Sequence, residues 1–112
     1  MSRLRITGAR LLDPASGRDE LGSLDVAVNN AGVVGTQAQL HRYELTDWHR
    51  IIAVNLTGVF LCLREQLTVM YEQGSGAIVN IASEAALKGS AADAVYTASK
   101  HGLIGLTRSL AA

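Results

Sequence analysis

Apolar residues along the chain fall into two short blocks and two longer periodic stretches. Leu24-Asp25-Val26-Ala27-Val28-Asn29 and Ala77-Ile78-Val79-Asn80-Ile81-Ala82 are strand-length blocks rich in β-branched residues, the pattern of strands buried in a parallel sheet. Between them Ile51, Ile52, Leu56, Val59, Phe60, Leu63, Leu67 and Met70 recur at helical spacing. They predict a helix that runs to Gln73 and is stopped by Gly74. Thr46 is placed to cap that helix with Asp47 at its positive end, and Asn55 and Gly58 interrupt its apolar stripe. Residues 33–43 read as loop. A small-residue loop from Ser83 to about Ala92 leads into a second helix over roughly 94–110. Strand, helix, strand, helix in that order predicts a right-handed parallel unit, the module of doubly wound sheets.

Ahead of this unit the composition changes near Leu21-Gly22-Ser23. Residues 4–12 predict a short strand pair, followed by a turn at Asp13-Pro14-Ala15-Ser16-Gly17. The expected division is therefore a segment 1–21 and a domain 22–112.

At 112 residues the chain accommodates one domain with a modest core, and 48% hydrophobic residues exclude disorder by composition. Ten basic and ten acidic residues cancel without any run of like charge, which argues against nucleic-acid or anionic-membrane partners. Cys62 is alone, so neither an intrachain disulfide nor a cysteine metal cluster is expected. His41, His49 and His101 show no ligand spacing, and no metal site is predicted. The start lacks an apolar stretch of signal-peptide length, and the run Val54 to Leu63 is broken by Asn55, Thr57 and Gly58 and too short to span a bilayer. A cytoplasmic setting without membrane contact is the expectation.

Chemistry concentrates in the second half. Tyr96 and Lys100 stand four residues apart, which on a helix places phenol and ammonium side by side. A phenol that trades protons near neutrality needs its phenolate stabilised, and a fixed neighbouring cation supplies that. Ser83, thirteen residues before Tyr96, would bring a hydroxyl from a strand end to the substrate oxygen.

Together with Asn29-Asn30-Ala31-Gly32 and Val54-Asn55-Leu56-Thr57-Gly58, in that order, these residues resemble the catalytic half of a short-chain dehydrogenase/reductase from about Gly22 onward. The resemblance implies an α/β fold, a partial Rossmann-like doubly wound parallel sheet, NAD or NADP as cofactor, and reduction of a small carbonyl or oxidation of a secondary alcohol. Tyr96 would be the general acid or base. Lys100 would lower the phenol's pKa and hydrogen-bond the nicotinamide ribose. Ser83 would polarise the substrate oxygen, and Asn55 at the helix interruption would hold a water linking Lys100 to solvent. The run Asn29, Asn30, Ala31, Gly32 would line the cofactor cleft. Helices 46–73 and 94–110 would form a homo-oligomer interface.

Departures from the family pattern are concentrated at the start. Ala82 stands where a second serine is common. Thr7-Gly8 opens the family's dinucleotide loop, yet Leu12 and Pro14 occupy its later glycine places, where the backbone must approach a pyrophosphate. Only twenty-one residues separate Gly8 from Asn29, too few for two further strands and helices. The expectation is a truncated domain lacking the N-terminal dinucleotide-binding strands and the C-terminal strands, and inactive as this chain. The alternative expectation is a non-enzymatic, dimerising remnant. Residues 1–21 also resemble the N-terminal edge of dihydroorotase-type amidohydrolases through Leu11 to Gly17, without their His-x-His metal pair.

Overall fold

Parallel pairing brings the two apolar blocks together, as their composition predicts. The computed structural model describes residues 10–13, 18–21 and 23–112, with side chains from residue 23 onward. Among them β1 (Arg10–Asp13) and β2 (Arg18–Leu21) form an antiparallel pair, Arg10 opposite Leu21 and Asp13 opposite Arg18. The expected strand pair thus flanks the Pro-Gly turn sequence instead of preceding it. Residues 1–9, on which part of that expectation fell, lie outside the described residues.

β3 (Val26–Asn29) and β4 (Ala77–Asn80) pair in parallel, from Val26 opposite Ala77 to Asn29 opposite Asn80. Backbone bonds from Ala77 N–H to the Asp25 carbonyl and from Ile81 N–H to the Asn29 carbonyl, each 2.9 Å, carry the ladder past both ends. Side chains alternate across this sheet: Ala27 and Asn29 are buried, whereas Val26 and Val28 are 57% and 60% exposed. Val79 and Ile81 share the exposed face. The unbroken apolar blocks predicted burial on both faces; among the described residues helices cover only one.

One continuous helical run, Leu45–Gln73, supplies much of that cover. It comprises α1 (Leu45–Ile52), a wide π turn (Ala53–Thr57) and α2 (Gly58–Gln73). The Glu44 carbonyl accepts the first helical bonds, from the Asp47 and Trp48 N–H groups, so Glu44 and not Thr46 is the N-cap residue. The interruption read at Asn55 and Gly58 is the π turn, which accommodates one extra residue without ending the helix. Gly74 stops the run in the left-handed region at φ 72°. The joined helix is long and apolar enough to cross a bilayer by length and composition alone, which the shorter run Val54–Leu63 did not suggest.

α3 (Ala94–Ala111) packs along α2, with Val59 and Leu63 against Leu103. Gly102 lets the helices close: a Cβ there would come within 2.9 Å of Leu56 Cδ2. A second cluster joins Leu24, Ala27 and Met70, and Ile78 borders both. Through this apolar layer runs a chain of paired amides. Asn29 Nδ2 donates to Gln66 Oε1 (3.0 Å) and to Asn80 Oδ1 (2.8 Å), and Gln66 Nε2 returns a bond to Asn29 Oδ1 (2.7 Å). Asn80 Nδ2 donates to Thr107 Oγ1 at 3.0 Å. Mutual satisfaction lets these polar groups sit in the core and fixes both strand ends relative to α2 and α3.

Candidate active site

Both parallel strands deliver their carboxyl ends to the same edge, where open α/β sheets present ligands. Ser83 follows β4 in extended backbone and caps a short 3-10 turn, Glu84–Ala86, its Oγ accepting the Ala85 N–H at 3.2 Å. Its own hydroxyl hydrogen remains to be donated. The chain then turns into α3, whose first turn carries Tyr96. Ser83 and Tyr96 line one cavity of about 350 Å³, together with Ser90, Asp93 and Thr97.

Lys100 lies one turn on from Tyr96 and is 4% exposed. Its Nζ is 5.7 Å from the centroid of the Tyr96 ring and donates to the Ile81 carbonyl at 3.4 Å. An ammonium has three donors, so this single long bond leaves capacity for another acceptor. Gly32, on the loop after β3, lies against both Lys100 and Asn55: a Cβ there would stand 3.4 Å from Lys100 Nζ and 3.6 Å from Asn55 Oδ1.

Asn55 is fully buried inside the π turn and commits its whole amide to protein partners. Oδ1 accepts the Val33 N–H (2.7 Å), while Nδ2 donates to the Val33 carbonyl (2.9 Å) and to Ser99 Oγ (3.1 Å). Ser99 Oγ donates in turn to the Tyr96 carbonyl at 2.6 Å. The Asn55 side chain thus staples the loop after β3 to the helical turn between Tyr96 and Lys100. Ser99 was not singled out in the sequence, although a serine one residue before Lys100 in mid-helix signals a need for local partners. Asn29 turns its amide inward to Gln66 and Asn80 and offers it to no cleft. Ala31, beside Gly32, sits on exposed loop.

That loop is held along its length. Arg50 donates to the Val34 carbonyl (3.1 Å) and Ala38 N–H to the Ala92 carbonyl (3.0 Å). Partial burial pushes the Asp47 carboxyl up, but side-chain and backbone bonds from Thr36, with Arg50 3.4 Å away, outweigh it and hold the group below its ordinary value. Tyr43 is displaced the other way: burial, then the charges of Asp47 and Asp93, raise its pKa against the pull of Arg50. Its hydroxyl is buried without a partner.

A nicotinamide dinucleotide fits these residues at one end only. Lys100 with its free donors, the Gly32 backbone and the Tyr96–Ser83 cavity suit the nicotinamide riboside. At the other end Leu12 lies within strand β1, and among the described residues no helical element precedes Leu40. A helix N-terminus for pyrophosphate is thus not found there; Thr7, Gly8 and Pro14 lie outside the described residues. No group of three metal-ligating side chains occurs among the described residues.

Tyr96, Lys100 and Ser83 thus stand together near the carboxyl edge of the parallel α/β unit, and comparison with known proteins identifies the family of the chain. The short chain dehydrogenase family profile matches residues 15–112. A 3beta-hydroxysteroid dehydrogenase of Mediterraneibacter gnavus is 45% identical over 94 residues, 84% of this chain and 34% of that protein. A cis-4-hydroxycyclohexanecarboxylate dehydrogenase of Sinomonas cyclohexanicum is 46% identical over 103 residues, 92% of this chain and 41% of its own. Among solved structures, levodione reductase superposes with a TM-score of 0.78 at 41% identity, over 81% of this chain and 35% of the other. ElxO with NADP bound gives 0.75 at 38% identity, over 78% and 35%. The chain belongs to the short-chain dehydrogenase/reductase family, and it spans between a third and about two fifths of the length of these relatives. The amidohydrolase likeness of the opening stretch finds no support: the 103-residue match, in a chain of 112, enters that segment.

Proposed function

We propose that this chain carries the proton-transfer half of an NAD(P)-dependent oxidoreductase acting on a small carbonyl or secondary alcohol. The observation that carries this reading is the cavity shared by Ser83 and Tyr96, with the Lys100 ammonium beside the Tyr96 ring. In alcohol oxidation Tyr96 Oη takes the hydroxyl proton, and in carbonyl reduction it returns one. Lys100 places positive charge where tyrosinate charge develops, and Ser83, its Oγ already accepting from Ala85, donates to the substrate oxygen. A bound nicotinamide supplies or accepts the hydride. Lys100 and the Gly32 backbone would hold its ribose.

That no helical element precedes Leu40 among the described residues favours a second statement: the 112-residue chain alone is inactive, binding the nicotinamide end of the cofactor weakly and gaining nothing from the adenylate end. Exposed Leu45, Trp48, Phe60 and Leu61 on the outer side of the long helix support a homo-oligomeric assembly.

A titration of the ¹⁵N-labelled chain with nicotinamide mononucleotide and with NADPH tests both statements. The amides of Gly32, Tyr96 and Lys100 should shift with each ligand at similar, weak affinity, and Lys100→Met should lose the response. No shift at these residues with either ligand overturns the nicotinamide site. Saturation by micromolar NADPH overturns the claimed inactivity, and Tyr96→Phe would then abolish turnover while sparing affinity.

A further inference from the structure

The cavity that Ser83 and Tyr96 share has one wall whose polar groups the proton transfer leaves unused. Asp93 immediately precedes α3, three residues before Tyr96, and Thr97 follows one turn later. Both line the cavity with Ser90. Asp93 makes no side-chain cap bond to the helix it precedes. Its Oδ1 and the Thr97 Oγ1 are each shielded from solvent and lack any hydrogen-bond partner. A shielded carboxylate oxygen without a donor is costly, and the cost is removed when a donor arrives.

Charge sharpens the point. The other charged residues of the lining, Glu84 and Lys88, pair with each other at 3.2 Å on an exposed rim. Their charges cancel locally, which leaves the Asp93 carboxylate as the uncompensated charge of this cavity among the described residues. Tyr43 feels that charge, but no hydrogen bond joins its hydroxyl to Asp93.

Resting on the reading of this cavity as the substrate site, we propose that Asp93 is a specificity-determining residue. It selects an alcohol or ketone that carries a second hydrogen-bond donor, an ammonium ahead of a hydroxyl, on the side away from the reacting oxygen. Ser83, Asp93 and Tyr96 line one cavity, so a six-membered ring bearing its two groups at opposite corners is the simplest probe, with the reacting oxygen between Tyr96 and Ser83 and the donor at Asp93.

The test is a chemical-shift titration of the ¹⁵N-labelled chain with trans-4-aminocyclohexanol, trans-1,4-cyclohexanediol and cyclohexanol. The amine should bind at least tenfold more tightly than cyclohexanol, with the diol between them, and the shifts should centre on Ser83, Asp93 and Tyr96. The isosteric Asp93→Asn should erase the preference, with its amide spectrum reporting that the fold is retained. Tyr43→Phe should keep the preference; its loss there would show that the Tyr43 hydroxyl and not the Asp93 carboxylate recognises the donor, and would overturn the proposal. Equal affinity for the three probes, with Ser83 and Tyr96 still shifting, overturns the role of Asp93 while the cavity remains the alcohol site. Absence of any shift at Ser83 and Tyr96 overturns both.

Discussion

Replacing Asn55 by leucine removes three hydrogen bonds at once and strands their partners away from water. The Val33 N–H and carbonyl lose the amide that pairs with both, and Ser99 Oγ loses its donor. Removing one member of a buried pair costs the desolvation of what remains, so Asn55→Leu should destabilise the fold by about 2–4 kcal/mol in urea unfolding. A loss below about 1 kcal/mol would show that the loop after β3 does not depend on this staple. Tyr43 presents the opposite case, because its buried hydroxyl has no partner to lose. Tyr43→Phe should be neutral or stabilise by up to about 1 kcal/mol. Its pH signature follows from burial and the nearby carboxylates, which raise the folded-state pKa of Tyr43. Stability tied to the neutral phenol is complete below the ordinary tyrosine value near 10 and is lost as pH climbs through the higher folded value. Urea midpoints compared at neutral and strongly alkaline pH should therefore fall less in Tyr43→Phe than in the parent. A parallel fall in both would remove Tyr43 from the alkaline transition.

Element by element, what could be read in advance divides by range. The long helix was legible because its apolar stripe is local and periodic, and its stop because only a glycine relaxes easily at φ 72°. Nothing lies within 4 Å of a Cβ built on Gly74, so Gly74→Ala tests backbone strain alone. It should lower stability by about 1 kcal/mol, read as a reduced melting temperature; an unchanged melt would mean that the helix ends elsewhere in solution. The π turn was visible only as Asn55 and Gly58 interrupting an apolar run, since the partners of the Asn55 amide, Val33 and Ser99, lie 22 and 44 residues away. Gln66 was hidden for the same reason: it falls on the buried face of α2, and its partner Asn29 lies 37 residues distant. The helix cap was misplaced by two positions, because the carbonyl of Glu44, and not any side chain, receives the first helical bonds. Ser83, Tyr96 and Lys100 were readable from spacing on adjoining elements. The polar wall of Asp93 and Thr97 was not, because it exists only once the turn from Ser83 to Asp93 has folded back against α3.

For the whole molecule, the sheet decides behaviour in solution. Among the described residues, strands β3 and β4 are hydrogen-bonded only to each other, so each has an unpaired outer edge there. On the uncovered face Val28 stands directly opposite Val79, and Val26 and Ile81 extend the apolar patch. Unpaired edges beside a β-branched face are the combination that templates strand addition between molecules. The isolated chain should therefore self-associate with rising concentration in sedimentation velocity. The register supplies a specific remedy. Val28→Lys with Val79→Glu places opposite charges across a directly facing pair, which favours the existing ladder while charging the face. Both positions are substantially exposed, so the double variant should cost less than about 1 kcal/mol of stability. It should shift the distribution toward monomer and leave the Tyr96 and Ser83 amide signals in place. If the parent already sediments as one monomeric species and melts cooperatively, neither the valine face nor Trp48, Phe60 and Leu61 on the long helix is adhesive. If the parent associates and the charged pair leaves that unchanged, the contact lies on the helix and not on the sheet.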